Sequence, residues 1–129
     1  MTSVRAAKSK GSSFEYDCQH SLKKLFPDIY RTSERGFQMQ YDLHSESGKM
    51  VFECKRLKGI SWNQLDKFYE KLEKVKPYNY GSCLLFKSNR QPCLVFYIDD
   101  HARIVIESFE DVFGVPFEKH PSTRPKQKT

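Results

Sequence analysis

The run Phe37-Gln38-Met39-Gln40-Tyr41-Asp42-Leu43, then Ser45-Glu46-Ser47-Gly48, then Met50-Val51-Phe52-Glu53-Cys54-Lys55 constrains the fold more than any other part of this chain. Phe37, Met39, Tyr41 and Leu43 alternate with polar residues, the period-two pattern of a half-buried strand. Met50, Phe52 and Cys54 alternate with Val51, Glu53 and Lys55, and the serines and glycine between the runs are turn chemistry. The two runs read as arms of one β-hairpin, with Met50, Phe52 and Cys54 directed to the core. Residues two apart in a strand share a face, so Glu53 and Lys55 project together. With the hairpin symmetric about Ser47 and Gly48, Asp42 falls opposite Glu53. Directly opposed side chains have Cβ atoms about 5 Å apart, where like charges repel.

A divalent cation between the two carboxylates would relieve that repulsion, and a lysine beside them would meet an anionic substrate. This is the arrangement a metal-dependent phosphodiesterase needs. The plainer alternative is a solvated strand face that happens to carry Glu53 and Lys55. Asp42 at the matching register is what argues against it.

The rest of the chain reads as a frame for this hairpin. Phe14, Cys18, Leu22, Leu25 and Phe26 recur at helical spacing after the cap residues Gly11-Ser12-Ser13, which predicts a helix over residues 12–26 closed by Pro27. Residues 29–32 form a candidate short strand. Ser61 is a candidate cap for a helix from Trp62 to about Lys76, with Trp62, Leu65, Phe68 or Tyr69, Leu72 and Val75 as its apolar stripe. Strands are expected over 82–87, 93–98 and 104–106, with a helical turn over 108–113. The expectation is a single α/β domain with a central mixed β-sheet flanked by helices. It divides into a basic flexible arm at 1–10, the folded domain at 11–117 and a basic, disordered tail at 118–129.

Composition adds two limits. The formal net charge is +6 with 22 Lys and Arg against 16 Asp and Glu, and the basic residues gather at 5–10, 49–58, 67–76 and 124–128. One of those clusters surrounds Glu53 and Lys55, which points to a polyanionic partner. Cys18, Cys54, Cys83 and Cys93 lack the spacing of a zinc or redox motif and read as reduced core thiols. No apolar run approaches the ~20 residues of a membrane span, and no secretory leader is recognisable, so an intracellular location is expected.

In their order and context these residues resemble the PD-(D/E)xK nuclease superfamily, and most of all the archaeal-type Holliday junction resolvases with their phage and viral relatives. The resemblance runs over residues 10–76. Lys10-Gly11-Ser12-Ser13-Phe14-Glu15 looks like the family's opening, where a basic residue and a small turn precede a helix acid. Asp42 and Glu53 match the metal-binding acids and Lys55 the catalytic lysine. Ser33 lies in Arg31-Thr32-Ser33, where the resolvases carry a loop serine, and Gln64 opens the helix on which many members place a glutamine. Gln40-Tyr41-Asp42 stands where the family usually has Pro-Asp, and the preceding loop lacks the usual glycines.

The resemblance implies a restriction-endonuclease-like fold with an αβββαβ core. It implies Mg²⁺, or Mn²⁺ in its place, held by Glu15, Asp42, Glu53 and the Cys54 carbonyl, all hard oxygen donors. Lys55 would orient the attacking water, and Gln64 and Ser33 would assist. It further implies a homodimer that nicks branched or double-stranded DNA, with Lys8, Lys10, Arg31, Arg56, Lys58 and Lys67 on the phosphates. A nuclease for duplex, flapped or single-stranded DNA remains open, as does a catalytically silent nucleic-acid-binding module. Taken singly, Glu15 fits equally a helix acid near a positive dipole end, and Lys67 a solvated helix face.

Overall fold

The computed structural model of the chain describes residues 4–36, 40–59 and 61–123, with side chains from 13 to 122. The elements in order are α1 (Val4–Leu22), β1 (Tyr30–Arg31), a 3-10 turn (Thr32–Arg35), β2 (Leu43–Ser45), β3 (Met50–Arg56), α2 (Trp62–Val75), β4 (Gly81–Lys87), β5 (Leu94–Ile98), β6 (Ile104–Ser108) and α3 (Phe109–Phe113). The six strands form one sheet in sequential order. β1, β2 and β3 pair antiparallel, β3 and β4 pair parallel through the α2 crossover, and β4, β5 and β6 return to antiparallel. The described residues thus form a single α/β domain with a mixed sheet and three α-helices. No helix among the described residues is long and apolar enough to cross a membrane.

Side-chain parity decides which helix covers which face. Phe52 and Cys54 of β3 and Cys83 and Leu85 of β4 pack with Phe14, Cys18 and Leu22 of α1 and with Phe109 of α3. Leu84 and Phe86 pack with Leu65 and Tyr69 of α2, while Val51 packs with Tyr41 and Leu72. β3 is therefore covered on both faces up to Phe52, and Val51 is as fully buried as Phe52. The core assignment for Met50, Phe52 and Cys54 holds. Val51 is core as well, because the central strand of a three-layer domain has no solvent face there.

The hairpin register is the one expected: Leu43 pairs with Phe52, His44 with Val51 and Ser45 with Met50. Its first arm differs. Strand geometry begins only at Leu43, residues 40–42 are bent, and Phe37, Gln38 and Met39 lie outside the described residues. The connection occupies residues 46–49, with Lys49 at φ 51. Asp28 holds that turn: its carboxylate accepts from Ser45 Oγ (2.7 Å), Ser47 N–H (2.8 Å) and Ser47 Oγ (2.7 Å). These donors keep the Asp28 carboxyl well below the usual range. Gly48 is required by space, since a Cβ there would run into the Phe26 ring.

Three boundaries need correction. α1 starts at Val4, so the arm expected over residues 1–10 is helical from residue 4. Ala6, Ala7 and the lysines favour helix, and Gly11 within it costs only about 1 kcal/mol against alanine. At the other end, the expected tail is tied down in its first residues. Ser21 Oγ donates to the Glu118 carbonyl (2.9 Å) and accepts from the Glu118 N–H (2.8 Å), and the His120 N–H donates to Asp17 Oδ1 (2.8 Å). Residues 124–129 lie outside the described residues. Finally, Trp62 is 64% exposed, so the buried stripe of α2 is Leu65, Tyr69 and Leu72.

Candidate active site

The site is built where β2 stops short of β3. Among the described residues no strand covers that edge of β3 beyond Leu43 and Phe52, and Asp42 takes the place. Its backbone N–H donates to the Phe52 carbonyl (3.0 Å), its carbonyl accepts from the Thr32 N–H (2.9 Å), and its Oδ2 accepts from the Cys54 N–H (2.8 Å). A side chain here replaces the missing ladder partner. A strand residue's N–H and C=O point to the same edge, so the Cys54 carbonyl also faces the gap that Asp42 occupies. The Cys54 thiol points the other way, into the core beside Cys18.

Glu15 reaches this gap from α1 and Glu53 reaches it from β3. Burial pushes Glu15 up to about 7, and the Asp42 carboxylate beside it pushes the same way against Arg31. Burial likewise pushes Glu53 up to about 8, with repulsion from Asp42 next and Lys55 opposing. Asp42 is thus the common neighbour of both glutamates. The three carboxylates predicted from the sequence are brought together.

Each carboxylate already has a donor. Lys55 Nζ lies 3.4 Å from Glu53 Oε1 and sits over the Phe68 ring at 4.6 Å from its centroid. Arg31 Nε lies 3.4 Å from Glu15 Oε2, its Nη1 lies 3.6 Å from Glu34 Oε1, and its Nη2 donates to Ser33 Oγ at 3.3 Å. The Arg31 guanidinium also stacks on Tyr16 at 3.9 Å. Arg31, expected among the DNA contacts, is instead 9% exposed and locked inside the site. No local sequence signal reveals this role, because Glu15 and Tyr16 meet Arg31 from a separate segment of the chain. Among the described residues no group of three or more His, Cys, Asp or Glu side chains is closed around a metal position. The donor set still fits a hard cation in kind, since all of its groups are oxygen donors and both glutamates are raised by burial and by the Asp42 carboxylate.

The other expected residues contact none of the three carboxylates in the described hydrogen bonds and ion pairs. Ser33 is exposed but tied to the cluster through Arg31. Gln64 is exposed on the first turn of α2, one turn before Phe68 on the same stripe, which places it toward Lys55. Arg56 ends β3 and donates from Nη2 to Asn89 Oδ1 at 2.8 Å, while Lys58 and Lys67 are exposed before and on α2. Lys8 and Lys10 lie on the backbone of α1, and their side chains are outside the described residues. A 640 Å³ cavity lined by Tyr69, Glu73, Ser82, Tyr97 and Asp99 includes none of Glu15, Asp42 and Glu53. A phosphodiester backbone needs an open cleft, so cavity size does not locate this chemistry.

The raised glutamates give a pH prediction. A carboxyl whose folded pKa exceeds its unfolded value contributes stability below the unfolded pKa and loses it as pH rises through the folded value. Metal-free protein should therefore lose melting temperature between about pH 5 and pH 8 on account of Glu15 and Glu53. Millimolar Mg²⁺ or Mn²⁺ should restore it, most strongly at the upper end, because ligands bind metal deprotonated. Differential scanning fluorimetry of wild type and Glu53→Gln measures this; an unchanged slope in the variant would count against the cluster.

No family model, curated protein or solved structure matches this chain.

Proposed function

We propose that the protein is a metal-dependent, structure-selective DNA endonuclease that resolves four-way junctions by phosphodiester hydrolysis. The observation that carries this reading is the convergence of Glu15, Asp42 and Glu53 at the uncovered edge of β3, with Lys55 on the Glu53 face. The element order α1, β1, β2, β3, α2, β4 agrees with the αβββαβ core of restriction-endonuclease-like folds and supports it further.

Asp42, Glu53 and the Cys54 carbonyl would hold Mg²⁺ or Mn²⁺, with Glu15 completing the set from α1. A cation bound there supplies charge to polarise the scissile phosphate and lowers the pKa of a water. The chain's own groups do the rest. Lys55, positioned by Glu53 and Phe68, orients the attacking water and offsets the charge that grows on the phosphorus oxygens. Arg31 holds Glu15 aimed into the gap, and Ser33 holds Arg31. Gln64 at the start of α2 positions phosphate or water. A homodimer would present two such sites for paired nicks on opposed strands.

The test is cleavage of a labelled four-way junction beside matching duplex, flap and single strands, in Mg²⁺, Mn²⁺ or EDTA. Symmetric paired nicks in the junction alone, abolished by EDTA, are expected. Cutting of the other substrates equally well would retire the junction specificity while keeping the chemistry. Absent cutting with intact binding would leave a silent binding module, and metal-independent cutting would overturn the metal site.

A further inference from the structure

Asp42 is held by more than its own bonds to β3. The register that pairs Arg31 with Leu43 sets Thr32 opposite Asp42, one step beyond the ends of β1 and β2. There the Thr32 N–H donates to the Asp42 carbonyl at 2.9 Å, and the Thr32 hydroxyl donates to the Tyr41 carbonyl. The Tyr41 carbonyl and the Asp42 N–H belong to one planar peptide unit. That unit is therefore strung between Thr32 on one side and the Phe52 carbonyl of β3, 3.0 Å from the Asp42 N–H, on the other.

The two peptide units that flank the Asp42 Cα set its φ and ψ, and Thr32 bonds to a carbonyl of each. Residues 40–42 are bent and outside strand geometry, so these bonds stand in for a ladder there. Tyr41 adds an anchor of its own: its side chain is buried with Val51 and Leu72, and its OH lies 2.8 Å from His44 Nδ1. Thr32 is itself buried, so its hydroxyl bonds away from competing water. A backbone N–H is common to all residues but proline, whereas the hydroxyl belongs to the side chain chosen at position 32. Asp42 stands beside Glu15 and Glu53, and its backbone must be held against like-charge repulsion.

We propose that Thr32 is a positioning residue, whose hydroxyl fixes the direction in which Asp42 presents its carboxylate to a bound cation. The preceding residue completes the arrangement. Arg31 Nε lies 3.4 Å from Glu15 Oε2, so two consecutive residues at the end of β1 set two of the three acids. That a cation binds there to cleave DNA rests on the proposed function; the hold of Thr32 on the Asp42 backbone does not. Groups that orient metal ligands are worth about 10- to 100-fold in metal affinity.

The experiment is isothermal titration calorimetry with Mn²⁺ at neutral pH on wild type, Thr32→Val, Thr32→Ser and the control Ser108→Ala. Thr32→Val keeps the side-chain shape and the backbone N–H but loses the hydroxyl, which Thr32→Ser retains. Ser108→Ala removes a different hydroxyl bond, the 3.2 Å cap on the Asp111 N–H, on a strand three places from β3 in the sheet. Thr32→Val should bind Mn²⁺ about 10- to 100-fold more weakly. Thr32→Ser should stay close to wild type, and Ser108→Ala should match wild type although the lost cap lowers its melting temperature. Melting in EDTA reads folding apart from metal. Unchanged affinity in Thr32→Val, or an equal loss in Thr32→Ser or Ser108→Ala, overturns the assignment. Failure of both Thr32→Val and Thr32→Ala to fold also overturns it, since Thr32 would then serve the fold and not the site. Wild type that binds no Mn²⁺ overturns it together with the metal site. Wild type that cuts DNA while Thr32→Val binds Mn²⁺ equally well removes the role of Thr32 and keeps the nuclease reading. Weakened Mn²⁺ binding by Thr32→Val in a protein that never cuts DNA does the reverse.

Discussion

Asp42→Asn and Glu53→Gln should each lower metal-dependent DNA cleavage by about 10³-fold or more, while the affinity for uncut DNA in EDTA stays within about threefold of wild type. The magnitude follows from removing one preorganised charge from a partly desolvated site, typically worth 10² to 10³ in rate, together with weakened retention of the cation. The two variants act differently on the protein itself. Asp42 accepts from the Cys54 N–H at 2.8 Å, and an asparagine oxygen can keep that bond, so Asp42→Asn removes charge with little loss of structure. Glu53→Gln relieves repulsion from Asp42 and releases Lys55, so it should be at least as stable as wild type at pH 8. Single-turnover cleavage with saturating protein, alongside anisotropy in EDTA, separates chemistry from binding. Cutting at wild-type rate by either variant would sink the assignment of the site.

Phe52→Ala should destabilise the protein by about 3 to 5 kcal/mol, the usual range for a fully buried phenylalanine that leaves a cavity. The Phe52 side chain has no exposed surface, and its ring lies 5.7 Å from Phe26 and 6.2 Å from Phe113 by centroid. Those rings join the turn before β1, the middle of β3 and the end of α3, so no single element can collapse into the void. Native stabilities are of order 5 to 15 kcal/mol, so the variant should be near the edge of folding at 37 °C. The effect should reach the site, because the Phe52 carbonyl is the acceptor that fixes the Asp42 backbone. Urea denaturation gives the free energy. A midpoint shifted by less than the equivalent of ~1 kcal/mol would mean that β3 is not the centre of the fold.

How much of this was legible in the sequence follows from the range of the forces involved. Alternation at residues 50–55 and the turn chemistry at 45–48 are local, and they placed β3 and the register of Leu43 against Phe52. Helical spacing located α2 to within a residue, and the elements from β4 to α3 fell where short apolar runs and turn residues put them. Local signals were weaker at α1, where Gly11 and two serines imitated a cap inside a continuing helix. They also failed at Trp62, whose spacing fits the apolar stripe although its side chain is 64% exposed.

What the sequence by itself determined is the hairpin, its register from Leu43 to Ser45 and the acids on its two arms, because strand periodicity and turn geometry act between near neighbours. Only the tertiary structure decided what surrounds those acids. The early end of β2 left the edge of β3 open, Asp42 filled it as a ladder partner, and Arg31 came to rest on Glu15 from a different segment. The hold of Thr32 on Tyr41 and Asp42 is also a tertiary result, since it joins the end of β1 to the start of β2. Charges act through space and not along the chain, so which ones meet is settled only when the sheet is assembled.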